Sequence, residues 1–394
     1  MLALIVMSLF ANMGFIYPVY TLFLLSRDMN LTSVLTLESI LALGILLWEV
    51  PSSLLADRWG RKRMIVLARA LELLGAVPML WARGFAAFAG LYFLSGLAIA
   101  SQSGALEAYI YETLGERSDM TRRLGIIHAT QSAGMLIGSL IGGLIMARLG
   151  EQGYLICLGL SILASIPALI ASMRLRRDIP KAAQEHTNLK DILGSGTSAV
   201  FRSAPVLILV LLMFNLPGSV EAHYLWQPYM KGLGLAIGWF GLAAIGVNIA
   251  GVLGSLLAGW LPRLRMGGHP LSPRRTVFLG GGLCLVFLVI VITTRQVGWG
   301  LAALLGLFLM NAVLDPILIT QLNSHFPDEA RATALSGVSW VSSTTRMIIR
   351  PGIGYLADLN ITYPFRWDLI AMGLSLIVAA IMKKPKVTTA AQKD

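Results

Sequence analysis

Leu55-Ala56-Asp57-Arg58-Trp59-Gly60-Arg61-Lys62-Arg63 is the stretch whose reading decides the fold of this chain. A carboxylate, a glycine and a run of cations interrupt two long apolar segments, 33–55 and 64–82. A bilayer core about 30 Å thick is crossed by helices of about 20 apolar residues. Loops rich in Lys and Arg stay on the cytoplasmic side of such helices. Gly60 permits a tight turn between them. Asp57, at a helix end, can accept hydrogen bonds from the N-terminus of a neighbouring helix or pair with Arg.

The rest of the 394 residues repeats this grammar. The chain is 56% hydrophobic and 13% charged, where soluble domains are about 45–50% and about 25%. That much apolar surface does not fit inside one aqueous core. Spans are predicted at 2–25, 33–55, 64–82, 85–113, 125–147, 153–173, 205–227, 236–260, 276–294, 298–322, 333–357 and 365–382. Twelve helices of this kind use roughly 240 residues and leave short loops. The first apolar segment lacks a preceding basic region and a small-residue cleavage site, so it reads as a helix and not a signal peptide.

The net charge of +11 is explained by topology and not by nucleic acid. Arg58, Arg61, Lys62 and Arg63, then Arg117, Arg122 and Arg123, share a side with Arg174, Arg176, Arg177, Lys181, Lys190 and Arg202 of the central loop. Arg263, Arg265, Arg274, Arg275 and Arg331 and the tail lysines Lys383, Lys384, Lys386 and Lys393 join them. The other side holds only Arg27, Arg83, Arg148, Lys231, Arg295 and Arg366. The excess predicts a multi-pass protein of the cell (inner) membrane with both termini cytoplasmic. Cys157 and Cys284 lie within apolar stretches and suggest no disulfide framework.

The two halves repeat. Ser53-Leu54-Leu55-Ala56 maps onto Ser255-Leu256-Leu257-Ala258, and the same offset maps Arg61 and Arg63 onto Arg263 and Arg265. Slightly larger offsets map Asn12 onto Asn215 and Glu107 onto Asp315. The expected fold is all-α integral membrane, with twelve transmembrane helices in two pseudo-symmetric six-helix bundles. The bundles are placed at 1–173 and 205–394, joined by a polar loop at 174–204. In that loop Leu189, Ile192, Leu193, Val200 and Phe201 form either an interfacial helix or part of a flexible linker. Parallel repeats of this type carry a site between the halves near the midplane.

The stretch from Leu55 to Arg63, in its loop between the second and third spans, resembles the G-x-L-A-D-R-x-G-R-K loop of the major facilitator superfamily. Ser53 stands where that motif has its glycine. The resemblance implies that Asp57, Arg58, Gly60, Arg61, Lys62 and Arg63 form a gate motif between bundles, with Asp57 as a latch. Topology anchoring alone is the alternative. Gly134, Gly138, Gly142 and Gly143 resemble the helix 5 glycine motif of the family's drug exporters, with Ser139 at its proline position. Such glycines let helices approach closely. The branch resembled is that of bacterial drug:proton antiporters.

Charges inside the membrane are functional hypotheses by default. Glu221 and His223 follow the Asn215-Leu216-Pro217-Gly218 break and are candidates for proton coupling, or for hydrated residues at the outer mouth. Glu107 and Asp315 are repeat-related candidates for the same role, or for structural pairing. Arg346 and Arg350 share a helix face and want internal acids or an anionic substrate. Asn12, Tyr17, His128, Gln131, Asn215 and Trp226 are further candidates for the substrate cavity. Arg69 and Glu72 are spaced to pair, Glu38 is placed near the outer end in solvent, and Tyr224, Trp226 and Tyr229 are read as an interfacial belt. No phosphate-binding loop and no metal-spaced His or Cys cluster is present, so no cofactor, metal or enzyme chemistry is expected.

The function expected is secondary transport by alternating access: proton-coupled efflux of small amphipathic compounds by a monomer in the bilayer. Its partners would be a small-molecule substrate and protons. Import of a small anionic metabolite is the alternative, and a non-transporting sensor on the same fold is a reading of another class.

Overall fold

The structure is a computed structural model that describes residues 1–113, 120–176, 204–214, 221–261, 265–266, 269–270, 272–326 and 331–381. Helices α1 (Leu2–Ala11) and α2 (Tyr20–Leu25) form the first span. Helices α3 (Leu31–Trp59), α4 (Arg61–Ala76), α5 (Gly84–Thr113), α6 (Met120–Leu149) and α7 (Gly153–Met173) complete the first bundle. The second comprises α8 (Ala204–Phe214), α9 (Glu221–Gly232), α10 (Phe240–Trp260), α11 (Pro273–Thr293), α12 (Val297–Asn323), α13 (Arg331–Leu359) and α14 (Tyr363–Ile381). Among the described residues, seven helical stretches are long and apolar enough to cross a bilayer. One of them, Arg122–Met173, folds back at Gly150 to give α6 and α7.

The remaining spans depart from that pattern for physical reasons. The first is broken between Asn12 and Ile16, with Pro18 opening a short 3-10 turn before α2. α13 carries Arg346 and Arg350 within its length. The polar loop at 177–203, with its candidate interfacial helix, lies outside the described residues, as does the 215–220 break that contains Asn215. After α10, Arg265–Met266 pairs antiparallel with His269–Pro270 in a minimal hairpin.

The chain alternates between two ends. The basic end holds the start of α1, the turn between α3 and α4, and the start of α6. The far end holds Leu25, Leu31, Gly232 and Leu359. At the basic end α3 stops at Gly60, whose φ of 92° is costly for any residue with a side chain. Arg61, Lys62 and Arg63 then open α4 directly.

Lipid tails offer no hydrophobic gain for bringing helices together, so close packing does that work. The glycines of α6 form the main ladder. A side chain on Gly134 would strike the carbonyl of Leu9, one on Gly138 the backbone of Gly14, and one on Gly142 the carbonyl of Phe15. These three fit α6 against the broken first span. Gly143 instead meets Gly241 at the start of α10, across the seam between bundles. Along α4, Arg69 and Glu72 pair at 2.6 Å, as their spacing requires.

Gly142→Leu is expected to lower the thermal midpoint of the detergent-solubilised protein, with an overpacking cost of about 1–3 kcal/mol. Gly159, whose absent side chain would meet nothing within 4 Å, is the control. Gly159→Leu should not lower the midpoint.

Candidate functional site

The first span cannot run as one helix through Asn12–Pro18, so its backbone needs other partners. Inside hydrocarbon an unpaired N–H or C=O costs several kcal/mol. The main-chain N–H groups of Phe15 and Ile16 donate to the Ser161 hydroxyl on α7, at 2.9 and 3.4 Å. The next open pair is met from the other bundle. Thr21 N–H donates to Gln227 Oε1 at 2.8 Å, and Gln227 Nε2 donates to the Tyr17 carbonyl at 3.1 Å. The buried Gln227 amide thus stands between a donor and an acceptor four residues apart, where a continuous helix would pair them directly.

Two carboxylates close the same seam. Asp358, at the end of α13, accepts from Leu31 N–H, Thr32 N–H and the Thr32 hydroxyl at 2.8, 2.9 and 2.6 Å. A carboxylate there complements the positive end of α3. Gly354 makes the approach possible, since a side chain on it would meet the backbone of Leu31 and Thr32. About two turns deeper, Glu38 is 7% exposed. Its Oε2 accepts from the Tyr224 hydroxyl at 2.7 Å, and its main-chain carbonyl accepts from Arg350 Nη1 at 3.1 Å. The Arg350 guanidinium lies 5.8 Å from the Tyr224 ring centroid. At the rim, exposed Lys231 and Glu151 pair at 2.9 Å.

Below this seal lies a cavity of about 570 Å³ lined by Tyr17, Met135, His223, Trp226, Asn248, Ser255 and Phe308 among others. The Tyr17 hydroxyl and His223 Nε2 share a hydrogen bond of 2.9 Å. The His223 ring stands edge-on to Tyr224 with centroids 5.2 Å apart. Tyr17, His223, Tyr224 and Glu38 therefore form one polar line from cavity to seam. A second cavity of about 610 Å³, sharing Ser255, lies nearer the basic end and holds Asp315, Thr276, Thr320 and Gln321. Among the described residues no group of His, Cys, Asp and Glu is arranged to hold a metal ion.

The residues singled out from sequence fall in three groups. Tyr17, His223 and Trp226 line the first cavity, and Asp315 the second. Arg350 belongs to the seam, while Arg346 lies within electrostatic reach of Asp315. Asn12 turns back to the Ser8 carbonyl at 2.8 Å, and His128 bonds Gln131 at 3.1 Å on an exposed face of α6. Glu107 is exposed and lines neither cavity. Asp57, Arg58, Gly60, Arg61, Lys62 and Arg63 sit at the α3–α4 turn, remote from the sealed far end. Glu221 opens α9, and its side chain lies outside the described residues.

Two expectations are corrected. Glu38 is not solvated but buried between bundles, because Tyr224 and Arg350 cover it. Tyr224, Trp226 and Tyr229 do not form an interfacial belt. Trp226 and Tyr229 are buried, the latter donating to the Val291 carbonyl at 2.8 Å. Gln227, Asn248 and Asp358 were missed. Asp358 had a signal, since Leu356-Ala357-Asp358 repeats Leu55-Ala56-Asp57. Gln227 and Asn248 had none beyond a polar side chain in an apolar run.

The model of the Major Facilitator Superfamily matches residues 2–334. Multidrug resistance protein 2 of Bacillus subtilis (strain 168) is 24% identical over 394 residues, spanning 97% of this chain and 94% of its own length. Among solved structures, a variant of the nucleoside transporter NupG superposes with a TM-score of 0.77 at 12% identity, covering 96% of this chain and 98% of the other. A bacterial homologue of the human lysosomal transporter Spinster, inward-facing and unoccupied, gives 0.68 at 15% identity, covering 96% and 94%.

Asp358→Asn is expected to loosen the far seal, since hydrogen bonds to a charged group contribute about 1.5–3 kcal/mol. A cysteine introduced at buried Thr21 reports it. Its labelling by a membrane-impermeant thiol reagent should rise about tenfold. An unchanged rate would mean that Asp358 does not hold the seam.

Proposed function

The chain belongs to the major facilitator superfamily, and from that premise we propose that this secondary transporter exports small amphipathic compounds in exchange for protons. The cavity carries the reading. Aromatic and aliphatic walls with a few polar groups, at Tyr17, His223, Asn248 and Ser255, suit a ligand that is mostly apolar with one or two polar atoms. Similarity to a protein named for multidrug resistance agrees with such a substrate. The proposal places the basic end in the cytoplasm, both termini with it, in the inner membrane. It takes the working unit as a monomer of two bundles, 1–173 and 205–394, joined by 174–204. Alternating access then opens the far seal and closes the basic end, where Asp57 and its cationic neighbours would serve as the gate.

Glu38 is the acid proposed to carry the proton, with His223 and Tyr17 as its relay to the cavity. When the far end opens, Glu38 meets water and takes up a proton. Closing the seam buries it as a neutral acid, which costs less than burying a carboxylate. A substrate entering from the basic end at Tyr17 and His223 displaces that proton. Asp315 and Glu107, at the open end, are secondary candidates.

Import of an anionic metabolite draws on Arg346 and Arg350. Arg350 is engaged with Glu38 and Tyr224, and Arg346 donates to the Ser342 carbonyl at 3.4 Å, so an anion would compete with internal partners at both. Anion binding unchanged in Arg346→Gln would remove that reading. A sensor would bind ligand without flux.

In proteoliposomes under an imposed pH gradient, substrate addition to the wild type should move protons. Glu38→Gln should retain substrate exchange at equal pH while proton movement falls to background. Absence of substrate-induced proton movement in the wild type would remove the coupling. His223→Gln should slow coupled transport by about 100-fold, as expected for loss of a proton-transfer group.

A further inference from the structure

A third cavity lies apart from the transport path, at the basic end of the first bundle. It measures about 560 Å³ and is lined by Arg122, Arg123, Arg174 and Arg176, with Leu2, Ile126 and Tyr109 among its other walls. The arginines come from the start of α6 and from the segment after α7. The Tyr109 hydroxyl of α5 donates to the Arg176 carbonyl at 3.1 Å, which ties that segment to the bundle.

Retention of the loops on one side needs cations but does not need them gathered around a cavity. Arg122, Arg174 and Arg176 are exposed and Arg123 is half-buried, so their repulsion around one cavity is screened by water but still present. Arg122 and Arg123 also stand in the first turns of α6, the end where a helix already carries partial positive charge. An anion in the cavity offsets both effects, and guanidinium forks match phosphate oxygens in paired hydrogen bonds.

The walls choose among anions. Leu2 and Ile126 line the cavity yet remain exposed apolar side chains, at 76% and 38%. A free anion has no use for them, whereas glycerol and the first acyl carbons of a lipid would cover them. The cavity also sits at helix ends, the depth of the headgroups. Basic pockets between transmembrane helices on the cytoplasmic side are suited to phosphate-bearing headgroups.

We propose that this cavity binds the phosphodiester headgroup of an anionic membrane lipid. Bound there, the lipid bridges the start of α1, the start of α6 and the end of α7, and so braces the bundle whose α6 carries the glycine ladder.

The full chain, purified in a neutral detergent, is titrated with phosphatidylglycerol, phosphatidylcholine or inorganic phosphate, and its thermal midpoint is followed. Phosphatidylglycerol alone should raise the midpoint. The variant Arg122→Gln/Arg174→Gln should lose about fivefold in affinity per arginine, and Arg148→Gln at the far end should lose none. An equal shift with inorganic phosphate would make this a free-anion site and overturn the lipid assignment. A shift retained in the double variant, or absent from the wild type, would overturn the site. Should the double variant fail to fold, native mass spectrometry of Arg174→Gln decides. Phosphatidylglycerol retention must fall below wild type, and unchanged retention overturns the proposal.

Discussion

Inside a bilayer every main-chain N–H and C=O must be met by protein, and the broken first span turns that rule into a device. The helix is interrupted at Asn12–Pro18, and its open groups are met partly by Ser161 of the same bundle and partly by Gln227 of the other. The amide of Gln227 supplies one acceptor and one donor, as a peptide group would. The seam is thus continuous with secondary structure. When the bundles separate, Thr21 N–H and the Tyr17 carbonyl lose their partner, and an unmet buried polar group costs about 1–3 kcal/mol. Opening of the far end and entry of water are for that reason one event.

The other contacts of the seam follow the same logic with charge added. Asp358 meets the free donors that begin α3, and Glu38 meets Tyr224 about two turns deeper. Glycines set the distance at which these bonds can form. Gly354 lets α13 reach the start of α3, and Gly143 meets Gly241 where α6 crosses α10. Packing and hydrogen bonding are mutually dependent here. A side chain at Gly354 would hold Asp358 too far from its donors, and one at Gly143 or Gly241 would push α6 from α10.

Polar groups are spread unevenly along the molecule. Toward the sealed end they are paired, with Glu38 and Gln227 buried and Asp358, Lys231 and Glu151 exposed at the rim. In the cavities they face open space, with His223 and Tyr17 in one and Asp315 in the other. Glu38, Tyr224, His223 and Tyr17 connect the two regimes. In the proposed coupling, a change in protonation along that line would alter both the seam and the cavity.

The apolar spans, the turn from Asp57 to Arg63, the internal repeat and the α6 glycines were legible in the sequence, because each depends on local composition or on spacing along one helix. The pairing of Arg69 with Glu72 was legible for the same reason. Glu38 was not. One acid near a helix end looks alike whether water or a second bundle covers it, and only the docking of α9 and α13 against α3 buries it. Gln227 was invisible, because its partners are backbone groups 206 and 210 residues away in sequence. Tyr224, Trp226 and Tyr229 carry the composition of an interfacial belt, yet the packing around them turns them inward. Local chemistry by itself determined that this chain spans a membrane as two related halves, and the resemblance carried by Leu55–Arg63 added the family. Tertiary structure alone decided which of its few polar residues meet, since those meetings join helices that share neither sequence neighbourhood nor a common face.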